Sequence, residues 1–372
     1  MKILYYIDSL QRGGAEMQAL DVCRNGGRFG LEITAVSGAH GALTNDFANS
    51  GVEFIPLHRK FPVDLYLSSQ LRRIIKEREV EIVHGYQPVD GVHLYLASRG
   101  LKSVKRVLSF QGFIQDKRNR LAARFLIPRM QANISVSQGL SSWLAEKDGL
   151  NIARNFSVLY NGADPARMIR TGTSIRGELG LKKNDLLIGM VANFYRDPRK
   201  DQLTVCRALP AVFRQIPDAH CLFAGGIETG AEDKMADCLN FCLDNDIADR
   251  VHFLGSRKDV PDILDELDVF VFSSLYEGLP VAVSEAMLAG VPMIVSEIDP
   301  LLEATNNGQF AETFPVGDHV ALSKQLTELL GDKARREELS RTSREHALKN
   351  FSIDAHMKNL VSLYRSLMPQ KS

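Results

Sequence analysis

Short apolar runs alternate with longer amphipathic stretches along almost the whole of this chain. This alternation is typical of βαβ units, in which helices cover both faces of a parallel sheet. In the first half, the pattern predicts strands at 2–7, 33–36, 53–56, 82–84, 106–109, 132–136 and 157–159. In the second half, it predicts strands at 186–191, 221–225, 251–254, 269–272 and 293–295. The expected fold class is therefore α/β, with doubly wound parallel sheets.

The strand and helix pattern restarts after the segment Tyr160-Asn161-Gly162-Ala163-Asp164-Pro165. The Asn-Gly pair favours a turn, and the proline ends regular structure. A chain of 372 residues is long enough for two domains of about 100–200 residues each. We predict one domain over 1–165 and a second over 166–351, followed by an amphipathic helix over 352–367.

Charge is unevenly distributed, although the formal net charge is zero. Residues 1–165 hold 21 Lys and Arg against 15 Asp and Glu, and nine of these cations lie between Arg99 and Arg129. A basic face of this kind attracts a membrane or an anionic substrate, and a solvated helix face is the alternative. Nucleic acid is not favoured, because the pI is near 7 and there is a single Trp.

The remaining composition predicts a cytoplasmic protein. No stretch approaches the roughly 18 apolar residues of a membrane span, and the first apolar run meets Asp8 too early for a signal peptide. Five cysteines, an odd number, indicate a reducing compartment. Cys238 and Cys242 have helical spacing without a matching His/Cys pair, which predicts two core residues rather than zinc ligands. Peripheral contact with the inner face of the membrane would use the basic 99–129 region.

Three loops that follow predicted strands carry the candidate chemistry. In the first loop, Gly13 and Gly14 precede a predicted helix. Small residues and free helix N–H groups let the backbone approach an anion. The loop lacks the Gly-x-Gly-x-x-Gly pattern of dinucleotide sites and the Lys-Ser/Thr of a P-loop. A purely structural turn is the alternative.

The second loop follows the strand at 269–272. Gly278 allows a tight turn, and Pro280 suits the first turn of a helix, so that N–H groups near Leu279 and Val281 would point at an anion. Glu277 before the helix and Glu285 within it could reach different parts of one ligand. Compensation of the helix dipole would explain one of these carboxylates but not the whole arrangement.

The third loop follows the strand at 186–191 and holds Arg196, Arg199 and Lys200. Cations here would neutralise a diphosphate and stabilise charge on a leaving group, and a solvated basic loop is the alternative. Asp244-Asn245-Asp246 has the Asp-x-Asp form of manganese sites but lies in a predicted turn. We therefore expect no metal and no other cofactor.

Together the three loops resemble those of the retaining glycosyltransferases of family 4, also called group 1. The resemblance implies the GT-B fold, in which two Rossmann-like domains have a cleft between them. It implies that the first domain is on the acceptor side and is joined by the terminal helix, about 352–372. The second domain, 166–351, would bind the nucleotide sugar.

The resemblance also implies a role for each site residue. Glu277 and Glu285 match the family's E-x7-E signature, with the first at the transferred sugar and the second at the nucleotide ribose. Gly13 and Gly14 would meet the donor diphosphate, and Arg196 and Lys200 look like the cations that hold it. The other residues expected at the nucleotide sugar are Leu254 beside the base, Gly278, Leu279 and Val281.

One position departs from the family pattern. Many relatives carry His-Gly after the strand that here ends in Leu108-Ser109-Phe110, whereas this chain has Gln111-Gly112. Gln111 is expected on the acceptor side, where it can form hydrogen bonds but cannot take a proton at neutral pH. His84, after another strand, is either a second residue of this site or a structural strand end.

The expected function is transfer of a hexosyl or related sugar from a nucleoside diphosphate to an acceptor hydroxyl, with retention. UDP-sugars are the commoner donors in the family, and GDP-sugars stay open. The acceptor would be a glycan or lipid-linked molecule of cell-surface polysaccharide or glycoconjugate biosynthesis. Two alternatives remain: a GT-B nucleotide-sugar epimerase, against which E-x7-E argues, and an inactive nucleotide-sugar-binding protein, which only Gln111 supports.

Overall fold

The structure, a computed structural model, describes residues 1–114 and 116–369. The chain divides into two compact units. The first unit comprises residues 1–163 together with the chain from Ile353 onward, and the second unit comprises 164–352. Of the terminal segment expected over about 352–372, residues 370–372 lie outside the described part of the chain.

Each unit contains one parallel sheet. The first sheet has the order β3-β2-β1-β4-β5-β6-β7. Its strands are β1 (Lys2–Ile7), β2 (Glu32–Ser37), β3 (Glu53–Pro56), β4 (Ile82–Gly85), β5 (Lys105–Phe110), β6 (Ala132–Ser135) and β7 (Phe156–Val158). The second sheet has the order β10-β9-β8-β11-β12-β13. Its strands are β8 (Leu186–Val191), β9 (Ala219–Ala224), β10 (Val251–Gly255), β11 (Val269–Phe272), β12 (Met293–Ser296) and β13 (Glu312–Phe314).

Helices connect the strands within each unit. The α-helices are α1 (Gly14–Gly26), α2 (Thr44–Ala48), α3 (Leu65–Glu77), α4 (Pro88–Ser98), α5 (Lys117–Leu126), α6 (Gln138–Glu146), α7 (Ile175–Glu178), α8 (Gln202–Gln215), α9 (Glu232–Asp244), α10 (Val260–Glu266), α11 (Val281–Ala289), α12 (Asp299–Ala304), α13 (His319–Gly331), α14 (Lys333–Asn350) and α15 (Ile353–Leu367). Within the described residues, no helix is both long enough and apolar enough to cross a bilayer.

The predicted fold class, two Rossmann-like parallel-sheet units, is confirmed. Every predicted strand is present with its ends shifted by at most a few positions, and among the strands of the described residues β13 is the one that the pattern did not predict. This edge strand has only three residues, Glu312, Thr313 and Phe314, and the first two are polar and half-buried. Short polar edge strands carry little periodic signal.

In the first unit, β1 is buried on both faces. Ile3 and Tyr5 pack into the cluster that includes α1 and α15, whereas Leu4 and Tyr6 pack into the cluster that includes α3 and α4. Alternating side chains of one strand thus enter two cores, which explains the uninterrupted apolar run. Tyr364 of α15 is fully buried in the first of these cores, so α15 is structurally part of this unit.

The core of the second unit lies between its sheet and helices that include α8, α9 and α13. Cys206, Cys221, Cys238 and Cys242 are buried in it as free thiols. The interpretation of Cys238 and Cys242 as core residues is therefore confirmed. Free cysteine packs as a small apolar side chain.

Because all strands of each sheet are parallel, the loops that follow neighbouring strands meet at one edge. In the second unit, the ends of β8 and β9 approach so closely that a Cβ on Gly225 would lie 2.0 Å from the Ala192 carbonyl oxygen. Glycine is therefore required at this position. Gly290, with a φ of 76°, ends α11 in the left-handed conformation.

Candidate active site

Lys200 and Glu277 form a nearly buried ion pair at the carboxyl edge of the second sheet. The Lys200 Nζ donates a hydrogen bond to the Glu277 Oε1, and the Ser274 Oγ donates to the same oxygen at 3.1 Å. The ammonium also lies 4.1 Å from the centroid of the Phe272 ring. Burial lowers the pKa of Lys200, and the charge of Glu277 opposes this shift. The structure thus brings together two residues that the sequence placed on separate loops.

Backbone hydrogen bonds connect the loops after β8 and β11. The N–H of Leu275 donates to the Arg199 oxygen at 2.8 Å, and that of Asp201 donates to the Ser273 oxygen at 3.1 Å. Ser296, at the end of β12, accepts from the Ser274 N–H at 3.0 Å and donates to its carbonyl oxygen at 2.8 Å. The position of Glu277 is therefore determined by three strand ends.

Asp197 links Arg199 to Tyr276 beside this ion pair. It accepts from the Tyr276 hydroxyl at 2.6 Å and from the Arg199 Nη2 at 3.1 Å. Burial and the Asp197 charge together raise the pKa of Tyr276 to about 12. Arg199 was visible in sequence as one of three clustered cations. Its ion pair with Asp197 lies within one loop, whereas the contact of Asp197 with Tyr276 joins two loops and had no signal in the sequence.

Arg196 lies in different surroundings from Lys200. Its side chain is exposed and passes Gly230, where its Cδ would be 3.3 Å from an added Cβ. The backbone N–H of Arg196 donates to the Glu228 Oε2 at 2.8 Å. The loop is thus held at Arg196 through the backbone, and its exposed side chain lies along Gly230. The role of Arg196 stays a prediction.

The N-terminus of α11 begins one residue later than the sequence suggested. Pro280 is the residue before the helix, with a ψ of 122°, and is not in the first turn as predicted. Its carbonyl accepts from the N–H groups of Val283 at 3.1 Å and Ser284 at 3.4 Å. Across 1–114 and 116–369, the N–H groups of Leu279 and Val281 have no hydrogen-bond acceptor. Free N–H groups at a helix N-terminus suit an anion, and the role of these two donors stays a prediction.

Glu285 is paired within the second unit. It is the fifth residue of α11, just over one turn from the start, and its Oε1 lies 3.1 Å from the Arg167 Nη1. Arg167 lies in a short 3-10 helix, Pro165–Met168. Sequence spacing contained no signal for this contact, because the two residues are far apart along the chain. The pairing holds the Glu285 carboxylate in one orientation.

Leu254 lies at an irregularity in β10. The pairing of β10 with β9 shifts register between Phe253 and Gly255, which places a bulge at Leu254. Gly255 has a φ of 65°, and its carbonyl accepts from the Gly225 N–H at 2.8 Å. A bulge redirects a side chain at the edge of a sheet. The half-buried Leu254 therefore lies beside the loop after β9.

In the first unit, α1 begins one residue earlier than predicted, so that Gly13 precedes the helix and Gly14 belongs to it. Gly13 caps α1 in an extended conformation, and Gly14 is its first residue. The Glu16 Oε2 lies 2.6 Å from where a Cβ on Gly13 would be, so this carboxylate covers the glycine. Burial raises the pKa of Glu16. A diphosphate bound here would have to displace the Glu16 side chain.

Gln111 belongs to a group of carboxamides in the first unit. Its Oε1 accepts from the Asn161 Nδ2 at 2.8 Å, and nearby in sequence the Gly162 N–H donates to the Gln18 Oε1 at 2.8 Å. Gln18 and Asn161 are almost fully buried. Within the described residues, the Gln18 Nε2 and the Asn161 Oδ1 are buried without a hydrogen-bond partner. Sequence reasoning found Gln111 but missed both neighbours.

His84 is a structural residue of the first core. Its Nδ1 lies 2.5 Å from the Tyr364 hydroxyl and its Nε2 lies 2.8 Å from the Ser109 hydroxyl. Burial lowers its pKa to about 3, so the ring stays neutral at physiological pH. Of the two interpretations of His84, the structure therefore supports the strand end. His84 connects α15 to the sheet.

The Asp-x-Asp segment lies at the end of α9. Asp244 is the last helical residue, and Asp246 has a φ of 54° in the following turn. This is the turn that the sequence predicts. Within residues 1–114 and 116–369, no group of three or more His, Cys, Asp or Glu side chains could hold a metal ion.

Two family models match this chain. The model described as glycosyl transferases group 1 matches residues 185–332, and the model described as glycosyltransferase family 4 matches residues 12–167. The first match spans the loops that carry Lys200, Glu277 and Glu285. The second spans the loops that carry Gly13 and Gln111.

Curated relatives cover most of the chain. An Escherichia coli UDP-Gal:alpha-D-GlcNAc-diphosphoundecaprenol alpha-1,3-galactosyltransferase is 26% identical over 92% of this chain and 90% of its own length. An N-acetyl-alpha-D-glucosaminyl L-malate synthase of Bacillus anthracis is 25% identical over 82% of this chain and 79% of its own length. Both are sugar-transferring or sugar-linking enzymes by name.

Solved structures share the fold. The Anabaena protein HepE, solved in complex with UDP, matches with a TM-score of 0.86 at 19% identity over 98% of this chain and 100% of its own. A glycosyltransferase of Rickettsia africae matches with a TM-score of 0.86 at 16% identity over 100% of this chain and 99% of its own. At this identity the likeness concerns the fold alone.

Proposed function

This chain belongs to the group 1 glycosyltransferases and has the GT-B fold, and we propose that it transfers a hexosyl or related sugar from a UDP-sugar, with retention, to an acceptor hydroxyl. The acceptor is a glycan or a lipid-linked molecule of polysaccharide or glycoconjugate biosynthesis. The name of the E. coli relative supports both choices, because it contains a UDP-sugar and a diphosphoundecaprenol-linked acceptor. GDP-sugars are the alternative donors.

The buried pair of Lys200 and Glu277, next to the open N-terminus of α11, is the observation that carries this proposal. Transfer leaves a nucleoside diphosphate, whose negative charge grows as the bond to the sugar breaks. The Lys200 ammonium and the N–H groups of Leu279 and Val281 are donors suited to that charge. They are held in place before the reaction, so little reorganisation opposes their action.

The retaining reaction needs no nucleophile from the enzyme in this scheme. The acceptor hydroxyl attacks from the same face that the diphosphate leaves, and a phosphate oxygen accepts its proton. Glu277 would contact the transferring sugar, and Glu285, held by Arg167, would meet the ribose. Gly278 at the turn, Leu254 at the base and Gly13 and Gly14 at the diphosphate complete the proposed donor set, with Arg196 as an outer cation.

The basic 99–129 region supports peripheral membrane contact. Within it, α5 carries Lys117 and Arg118 near its start and exposes Leu121 and Phe125. The Arg129 guanidinium lies 3.9 Å from the centroid of the Phe125 ring. Cations beside exposed apolar side chains on one helix favour the surface of an anionic bilayer.

A panel of nucleotide sugars tests the proposal. Purified protein is incubated with UDP- and GDP-sugars and a lipid-linked acceptor, and the released UDP or GDP and the anomeric configuration of the product are measured. We expect UDP release and retention, with activity unchanged by EDTA. An epimerase would convert the donor sugar without an acceptor, and an inactive binding protein would bind the donor without releasing nucleotide. Loss of activity in EDTA that Mn²⁺ restores would reopen Asp244 and Asp246.

A further inference from the structure

The carboxamide of Gln111 is held through its oxygen. The Oε1 accepts a hydrogen bond from the Asn161 Nδ2 at 2.8 Å, and in the part of the chain that the structure describes the Nε2 donates to no protein acceptor. The side chain is half-buried, and the Nε2 is not enclosed by the protein. With its oxygen engaged, a carboxamide presents its two N–H groups on the other side. Gln111 therefore presents hydrogen-bond donors to a ligand at the carboxyl end of β5.

The turn that contains Asn161 is fixed by two helices of the first unit. The Gly162 N–H donates to the Oε1 of Gln18 in α1 at 2.8 Å, and the Tyr160 carbonyl oxygen accepts from the Nδ1 of His356 in α15 at 2.7 Å. The side chains of Gln18 and His356 are both buried. The packing of the unit, and not a ligand, therefore sets the place of the Asn161 side chain.

Polarity inside the unit determines which end of the Asn161 amide faces Gln111. A backbone N–H can only donate, so the bond from Gly162 engages the Gln18 Oε1 and leaves the Gln18 Nε2 for another contact. Within residues 1–114 and 116–369, this Nε2 and the Asn161 Oδ1 are buried without a hydrogen-bond partner. One is a donor and the other is an acceptor. Reversing the Asn161 amide would put a second unpartnered donor into the same buried group, which costs free energy.

We propose that Gln111 binds the acceptor by donating an N–H to the attacking hydroxyl oxygen, and that Asn161 is the positioning residue that imposes this direction. The inference rests on the proposed function, because it assumes transfer to an acceptor hydroxyl. Two carboxamides in contact must act as one donor and one acceptor. The end of the amide that Asn161 presents therefore decides which end of Gln111 remains for the substrate. An unrestrained glutamine, by contrast, could either donate or accept.

This direction suits the proton transfer of the proposed reaction. The bond from the hydroxyl oxygen to the sugar forms as the bond from the sugar to the diphosphate breaks, and the hydroxyl proton passes to a phosphate oxygen. A hydroxyl oxygen has two lone pairs. One lone pair accepts from Gln111 while the other attacks, and the O–H stays free to donate to the phosphate. A carbonyl oxygen in the place of the Gln111 amino group would compete with the phosphate for that proton.

Three substitutions of Gln111 test the direction of this hydrogen bond. Acceptor KM is measured at about pH 8 with the UDP-sugar and the lipid-linked acceptor that give turnover in the donor panel. A neutral imidazole still offers one N–H, a methionine offers no donor, and a carboxylate offers acceptors alone. The rise in acceptor KM should be smallest for Gln111→His, several-fold for Gln111→Met and about 10-fold or more for Gln111→Glu. The KM for the UDP-sugar should stay unchanged.

Asn161→Asp tests the positioning role without changing Gln111. A carboxylate cannot donate, so Gln111 should turn its amino group toward Asp and present its oxygen to the substrate. Acceptor KM should then rise as it does in Gln111→Glu, with UDP affinity and the thermal unfolding midpoint as checks of the fold. Gln131→Glu is the matched control. The Gln131 Oε1 also accepts a hydrogen bond, from the Arg106 N–H at 2.9 Å, but it precedes β6 at the opposite edge of the sheet, so acceptor KM should not change.

Hydrogen exchange of the side-chain amides tests the orientation without donor or acceptor. In nitrogen-15 NMR spectra of the parent protein, the amide signals are assigned by their loss in Gln111→Met and in Asn161→Ala. The Asn161 amide donates a hydrogen bond inside the protein, whereas the Gln111 amide does not. The Asn161 amide protons should therefore exchange with water about 10-fold or more slowly than those of Gln111.

Three results would overturn the inference. Slower exchange of the Gln111 amide than of the Asn161 amide would reverse the orientation. A lower acceptor KM for Gln111→Glu than for Gln111→Met would show that Gln111 accepts from the substrate. A change confined to the KM for the UDP-sugar would place the contact on the donor. If the parent protein releases UDP from no donor, the proposed function itself fails, and the exchange rates distinguish that outcome from a wrong orientation.

Discussion

One contact at the carboxyl edge of the first sheet joins neutral carboxamides, whereas the corresponding contact at the edge of the second sheet joins opposite charges. Gln111 and Asn161 contact each other through amide groups, and Lys200 and Glu277 through full charges. Both sets lie on loops after parallel strands, so backbone topology does not explain the difference. The difference matches the chemistry proposed for each unit.

A nucleoside diphosphate needs cations and N–H donors. A cation that is buried next to a carboxylate stays paired when no nucleotide is bound. An acceptor hydroxyl needs only orientation, which a neutral amide provides without a proton exchange. Buried charged pairs are costly when one partner is removed, typically by about 3–5 kcal/mol, and neutral contacts cost less. Substitutions on the two edges should therefore have effects of different size.

The largest effect is expected for Glu277→Gln, which keeps the shape of the side chain and removes its charge. If the contact with the sugar strengthens in the transition state, kcat should fall by about 100-fold or more, which corresponds to about 3 kcal/mol. Steady-state kinetics with the preferred donor measures this. Glu285→Gln is the control and should change KM more than kcat. A near-normal kcat for Glu277→Gln would exclude a catalytic role for Glu277.

Two of the three cations on the loop after β8 should differ in their effect on nucleotide binding. Lys200→Met should weaken UDP binding by about 10-fold or more, because it removes a donor that is buried against Glu277. Arg196→Met should weaken it less, because that side chain is exposed. Calorimetric titration with UDP and with uridine separates a phosphate contact from a fold defect. Equal losses of affinity for UDP and for uridine would show that these residues support the fold.

Acid should weaken the first unit through its buried histidines. Burial lowers the pKa of His84 to about 3 and that of His356 to about 4, so both are neutral when folded and take up protons when unfolded below their ordinary pKa. Stability is complete above that ordinary value and is lost as the pH falls toward the folded pKa. Each histidine contributes up to about 1.4 kcal/mol per pH unit in this window.

Denaturant unfolding followed by the fluorescence of Trp143, which lies in the first unit, measures this loss. His84→Gln should flatten the dependence of the unfolding free energy on pH. If the unfolding free energy of the parent protein does not change between about pH 7 and about pH 5, the histidines are not buried in the neutral state.

The smallest effect is expected at the carboxamide contact of the first unit. We expect a several-fold loss of transfer in Gln111→Ala and in Asn161→Ala, through a higher acceptor KM and with donor affinity unchanged. Gln111→Ala removes the amide itself, and Asn161→Ala removes the group that orients this amide. Gln111→His should introduce an inflection near pH 6.5 in kcat if the side chain lies beside the reacting groups. If transfer, donor hydrolysis and acceptor KM all stay unchanged in Gln111→Ala, Gln111 is a structural residue.

The edges of the two sheets also show what a local pattern can predict. Apolar periodicity located the loops after β8 and β11, and with them Lys200 and Glu277, since a buried strand and the glycine, proline and charged residues after it are adjacent in sequence. In such cases the order of residues along the chain is enough to predict which loop carries the candidate side chains. Pro280 was misplaced by one residue because the start of a helix depends on backbone angles that sequence only biases.

What the sequence by itself determined was the α/β class, the strand positions and the loops that hold the candidate chemistry, because these follow from nearest-neighbour patterns of apolar and turn residues. Only the tertiary structure decided the partners: Arg167 for Glu285, Asn161 for Gln111 and Tyr276 for Asp197. Each of these contacts joins different segments of the chain. Such contacts depend on strand order, register and side-chain packing, and no local spacing encodes them.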